Sequence, residues 1–230
     1  MRHFLAALLA SASMLLANTG TAQTGPVVVE LYTSQGCSSC PPADEMMRTL
    51  AGRDDIIALA LHVDYWDYIG WKDSFGSPAN TRRQKGYARA ARERTVYTPQ
   101  FIIGGTDFVV GARSMELMDA VAGQRSGGVA LNLSRSGNDL RIAATPVQGR
   151  GDMVVQVVRY TPEEQVAITR GENAGRTIAY SNIVTSWDVV GHWNGQTALD
   201  MTTPVTGDAP IVVIVQDAEF GPIVAAARLR

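Results

Sequence analysis

Pro26-Val27-Val28-Val29-Glu30-Leu31-Tyr32, Thr33-Ser34-Gln35-Gly36, Cys37-Ser38-Ser39-Cys40 and Pro41-Pro42-Ala43-Asp44-Glu45-Met46-Met47 follow one another without interruption. The first segment is a β-branched apolar run suited to a buried strand. The second breaks it. The last opens a helix, because proline is tolerated in a first helical turn and Asp44 and Glu45 suit the positive end of the dipole. Cys37 therefore stands at or just before a helix N-terminus, as the exposed member of the pair. Free backbone N–H groups there favour thiolate over thiol and bring the pKa from about 8.5 into a range of roughly 3.5–7.5. Cys37 and Cys40 are the only cysteines in 230 residues. A bridge between them closes too small a loop to constrain the unfolded chain, and an exported domain stapled by disulfides scatters its pairs. A redox dithiol, a metal clip or a pair with no chemistry are the readings left.

Upstream, Phe4 to Ala17 is apolar behind Arg2 and His3, and Asn18 to Ala22 is small and polar. Residues 1–22 read as a secretory signal peptide cleaved before Gln23, with an apolar stretch short of the roughly 20 residues that span a bilayer. The expected product is periplasmic or secreted, without an integral membrane segment after cleavage. A composition 46% hydrophobic and 18% charged excludes a disordered chain, and a net charge of -2 lacks the basic footprint of a nucleic-acid partner.

Downstream, Ile56 to Asp64 predicts a second strand, reached through a helix and hence parallel to the first. Parallel strands share a C-terminal edge, so His62 and Asp64 emerge where Cys37 does. Tyr65 to Phe75 is a loop carrying Tyr65, Trp66, Tyr68, Trp71 and Phe75, read either as a cap on the core or as a lid or substrate platform. Pro78 to Arg94 is a basic helix. Val96-Tyr97-Thr98-Pro99-Gln100-Phe101-Ile102-Ile103-Gly104-Gly105, Phe108 to Gly111 and Ser114 to Val121 then read as strand, Gly-Gly turn, strand and helix.

Taken together, residues 26 to about 124 resemble a thioredoxin fold, with Cys37-Ser38-Ser39-Cys40 in the place of its active-site motif and Thr98-Pro99 in that of its cis-proline. The Thr98 to Gly105 segment is similar to the corresponding glutaredoxin stretch. Leu31 to Ala43, His62 to Asp67 and Gly171 to Thr177 further resemble the signature segments of a family of secreted bacterial proteins of unknown function. The resemblance implies that Cys37 attacks a disulfide, that Cys40 resolves the product, and that Thr98 and Pro99, with Trp66 nearby, shape a substrate groove. It also places Glu30 near the buried acid that helps deprotonate the second cysteine of thioredoxins; the other reading of Glu30 is a solvated residue facing a sheet edge. Ser-Ser between the cysteines, the absence of a preceding tryptophan and the aromatic insertion depart from thioredoxin, so no redox potential is carried over.

After a Gly-rich linker at 123–128, short alternating segments from Val129 onward predict an antiparallel sandwich. The expected fold is thus an α/β thioredoxin-like domain over 23–124 followed by an all-β sandwich-like domain over 129–230. Arg170 to Arg176 is Gly-rich but lacks the lysine and hydroxyl residue of a phosphate loop, and reads as a hairpin or interdomain contact. Gly191 to Gly195 reads as a turn that leaves His192 at a surface or interface. With His62 and His192 the only histidines after the leader, a His-rich metal site is excluded.

Two functions follow. One is a periplasmic thiol-disulfide oxidoreductase acting through Cys37 and Cys40 on protein or small-molecule thiols and disulfides, with a separate redox partner and no cofactor. The alternative is a binding protein, holding a soft ion such as Cu(I) through Cys37, Cys40 and His62 or serving as a redox-silent interaction module.

Overall fold

The computed structural model describes residues 25–124 and 128–229; the signal peptide expected over 1–22 lies outside them. The first strand, β1 (Val27–Thr33), is buried along its whole length and leads through the dithiol into α1 (Pro41–Ala51). The chain returns as β2 (Ile56–His62), parallel to β1 with Thr33 beside His62. After α2 (Pro78–Ala90), β3 (Gln100–Ile103) lies antiparallel on the other side of β1 and pairs with β4 (Asp107–Val110). Gly104 and Gly105, both at positive φ, make the tight turn between them. Helix α3 (Ser114–Gly123) closes this half.

The expected succession of an α/β thioredoxin-like domain over 23–124 and a separate sandwich over 129–230 does not form. Strands β7 (Met153–Ala167), β8 (Thr177–Trp193), β10 (Ile211–Asp217) and β11 (Ile223–Leu229) extend the same sheet, giving one eight-stranded mixed sheet in the order β11-β10-β7-β8-β2-β1-β3-β4. The reason lies in β2. It is buried on both faces, and its outer edge would otherwise expose an unpaired row of backbone groups. β8 covers that edge, running parallel to β2 with Ala60 paired to Ile183 and the Asn182 amide donating to Ala58 O at 2.9 Å. Only β5 (Leu131–Ser136), β6 (Asp139–Ala144) and β9 (Leu199–Pro204) form a second sheet, packed through Leu140 and Ile142 on Val155, Val213 and Val224.

The large sheet carries different cover on its two faces. Residues Val29, Leu31, Phe101 and Ile103 meet Met47 of α1 and Leu117 of α3. On the opposite face Val28, Tyr32, Ile57, Val158 and Val212 pack with Tyr87 of α2. Gly86 lets Phe220 from the second half close on α2, since a Cβ there would run into the Phe220 ring. On this face the two halves therefore share one cluster.

Candidate functional site

Cys37 and Cys40 form a disulfide with Cα atoms 5.4 Å apart. Cys40 is the N-cap of α1, and its carbonyl accepts from the Ala43 and Asp44 N–H groups at 2.8 and 3.1 Å. Pro41 follows in the first turn, so no N–H is lost there that the helix needed. The Thr98 hydroxyl donates to Cys37 Sγ at 3.4 Å and accepts from the Trp66 indole N–H at 2.6 Å. Ser39 Oγ donates to Thr98 O at 3.5 Å, and the Thr98–Pro99 peptide is cis. Cys37, Cys40, Thr98, Pro99 and Trp66 are thus brought to one place. In this oxidised form both sulfurs are covered, Cys37 at 3% exposure and Cys40 fully buried, while Ser38 and Ser39 face solvent. Trp66 stacks on Tyr68, which is 80% exposed, so the aromatic loop leaves a solvent-facing ledge beside the disulfide.

Glu30 goes elsewhere. On β1 its side chain lies on the α2 face, opposite α1, in a bidentate ion pair with Arg83 at 2.8 Å for both bonds. The Tyr32 and Tyr87 hydroxyls donate to its two oxygens at 2.9 and 2.7 Å. Arg83 also donates to Gln156 and Gln216 at 3.3 Å and stacks on Trp187 with its guanidinium carbon 3.6 Å from the ring. Burial alone would pull the Arg83 pKa down, but Glu30 more than offsets this and raises it.

A different acid backs the dithiol. Asp44 lies one turn beyond Cys40 on α1, is 3% exposed, and accepts from Thr33 Oγ1 at 2.8 Å. Burial pushes its carboxyl up to about 7, against the pull of His62. His62 is fully buried at the end of β2, with Nδ1 2.7 Å from Asp73 Oδ2. Burial opposes ionisation of Asp73, yet His62 and the N–H groups of Gln35 and Phe75, both at 2.8 Å, hold it below its ordinary value. Tyr180 of β8 packs edge-on against His62, ring centroids 4.9 Å apart. Sequence reasoning missed Asp44 as more than a helix-opening acid and missed Asp73 altogether.

The Gly-rich loop before β8 reaches over the dithiol segment. The Asn173 amide donates to Gln35 O and Cys37 O, both at 2.9 Å, and Arg176 donates to Asn173 Oδ1 at 3.2 Å. Gly171 packs against Trp71, whose indole N–H donates to Gln35 Oε1 at 2.8 Å. His192, read as part of a turn, instead lies in β8 paired with Val154, exposed. Among the described residues no group of three or more His, Cys, Asp or Glu side chains is placed to hold a metal ion.

Among the described residues no helix is long and apolar enough to cross a membrane, and the disulfide is consistent with an oxidising compartment. No curated protein matches the chain. It is similar to a crystal structure of a protein from Agrobacterium tumefaciens, a structural genomics target, at 35% identity and a TM-score of 0.77 over 90% of this chain and 96% of that one. Residues 28–216 match the model of a family described as a protein of unknown function, DUF1223, and the chain therefore belongs to the DUF1223 family.

Proposed function

We propose that the protein is an exported thiol-disulfide oxidoreductase, periplasmic or secreted, acting through Cys37 and Cys40. The reading rests on one observation: the pair sits at the open N-terminus of α1 with the Thr98 hydroxyl on Cys37 Sγ. That placement stabilises a thiolate at Cys37 through helix N–H groups and one hydroxyl bond. In the reduced protein the Cys37 thiolate attacks a substrate disulfide, forms a mixed disulfide and expels one substrate thiolate. Cys40, as thiolate, then attacks Cys37 Sγ and expels the second. Two electrons pass from the dithiol to the substrate, and the reverse sequence oxidises a substrate dithiol. The resemblance of the Cys37–Cys40 and Thr98–Pro99 segments to thioredoxins and glutaredoxins supports the same chemistry, as does the leader for export. The Tyr68–Trp66 ledge offers apolar area to a substrate beside Cys37.

The test is trapping. Cys40→Ser should hold an oxidised dithiol peptide as a stable mixed disulfide on Cys37. No adduct, together with wild-type exchange no faster than that of an unstructured Cys-Ser-Ser-Cys peptide, would leave a redox-silent disulfide.

A further inference from the structure

Among the described residues four buried side-chain polar atoms have no hydrogen-bond partner: Asp44 Oδ2, His62 Nε2, Tyr180 OH and Asp217 Oδ1. Such atoms are few in native structures, and each calls for an explanation. Three of these four belong to one cluster. Thr33 and His62 are register partners on adjacent parallel strands, so both side chains point to the face that α1 covers, where Thr33 holds Asp44. Tyr180 meets the His62 ring from β8. Cys40 and Asp44, four residues apart on α1 and both buried, are neighbours on the same side of that helix.

The three atoms are complementary. A protonated Asp44 presents a donor at Oδ2. Nδ1 of His62 is taken up by Asp73, so Nε2 is the remaining ring position, a donor in the imidazolium and an acceptor in the neutral ring. Tyr180 can donate or accept.

We propose that the Asp44 carboxylate takes the proton that Cys40 gives up when it closes the disulfide, with His62, held by Asp73, and Tyr180 as positioning residues that decide where that proton rests. The inference rests on the exchange reading and deepens it. In the mixed disulfide, the Cys40 thiol passes its proton to Asp44, and the thiolate so formed attacks Cys37 Sγ. The Cys37–substrate S–S bond breaks as the Cys37–Cys40 bond forms, and the substrate leaves as thiolate with the electron pair. When the disulfide is reduced the proton returns.

A carboxyl that titrates near 7 is matched to this task at neutral pH. The groups facing it are Cys40 at the cap of its own helix, Thr33 of β1, His62 of β2, Asp73 of the aromatic loop, Arg176 of the loop before β8 and Tyr180 of β8. Arg176 and Tyr180 come from the second half of the chain, so the relay is complete only in the whole protein.

A chromogenic nitrobenzoate disulfide in excess over the reduced full-length protein releases one coloured thiolate when Cys37 attacks and a second when Cys40 displaces it. In the wild type the rate of the second release should rise with pH through about 7. In Asp44→Asn the second release should slow relative to the first by about 10²-fold at neutral pH, the low end for a positioned base. Its rise should move to the ordinary thiol range near about 8.5. His62→Gln keeps the carboxyl and should shift the wild-type midpoint; it serves where Asp44→Asn does not fold. A second release with the wild-type rate and midpoint in Asp44→Asn, or with the wild-type midpoint in His62→Gln, overturns the relay. Absence of the first release in the wild type overturns the exchange reading instead.

Discussion

β1 stands between two buried ionic clusters, one on each face of the sheet, and they are built to opposite standards. On the α2 face both oxygens of Glu30 are doubly bonded, to Arg83 and to Tyr32 or Tyr87. On the α1 face Asp44 has one oxygen on Thr33 and the other without a partner, beside a histidine and a tyrosine in the same condition. A fully satisfied network rigidifies a core, whereas an unsatisfied one lowers stability and persists where something else requires it. The comparison sets a closed network against an open one, and the difference can be attacked through stability. Arg83→Met leaves Glu30 buried and unpaired, at a cost of roughly 3–5 kcal/mol. Urea unfolding should place it toward the upper end, because the Gln156, Gln216 and Trp187 contacts go as well. Restoring an apolar match with Glu30→Leu in the same chain should recover most of the loss. A single Arg83→Met variant as stable as the wild type would show that the closed network adds nothing to stability.

The Asp44 side of the comparison is read by pH. A carboxyl at about 7 in the folded chain and 3.8 in the unfolded one keeps its proton in the native state while the unfolded state releases it. Stability from this group is therefore full below the unfolded pKa and falls as pH rises from about 4 to about 7. At about 1.4 kcal/mol per unit the loss is on the order of 4 kcal/mol at most. Asp44→Asn carries no such titration. The stability difference between wild type and variant, both oxidised, should move in favour of the variant across that window. Curves that stay parallel from acid to neutral pH would mean that Asp44 is solvated and titrates ordinarily.

The α1 half of this contrast was legible and the rest was not, for physical reasons. An apolar run, a break, two cysteines and a proline-opened helix are local signals, and they place Cys37 and Cys40 correctly at the start of α1. Glu30 read as a proton relay for the second cysteine or as a solvated residue at a sheet edge, because its partner Arg83 is 53 residues away in a helix legible only as basic. The continuous sheet was illegible because alternation fixes which face of a strand is buried and says nothing of which edge it joins. The single pairing of Ala60 with Ile183 decides the architecture and leaves no trace in periodicity. Asp73 lay hidden in a loop read for its aromatics, where one carboxylate beside Trp71 and Phe75 was the available sign.

The smallest expected effect concerns the strap between the halves. Asn173 is 2% exposed, and its amide bonds the carbonyls of Gln35 and Cys37, so the second half of the chain holds the segment that carries Cys37. Asn173→Ala removes both donors and leaves two carbonyls without this partner, a change that costs about 1–3 kcal/mol when buried groups are left unpaired. Asn173→Asp, which replaces the donating amide by an acceptor facing two carbonyls, should cost at least as much. The loss should be accompanied by faster alkylation of Cys37 in the reduced protein, because the backbone from Gln35 to Cys37 is no longer pinned and the Thr98 and Trp66 cover over the sulfur loosens with it. Arg83→Met, by contrast, should lower global stability without selectively raising Cys37 alkylation under native conditions, since its contacts lie on the other face of β1. Equal alkylation rates in Asn173→Ala and wild type, with the stability loss present, would reduce the strap to a packing contact and place control of Cys37 with Thr98 and Trp66 alone.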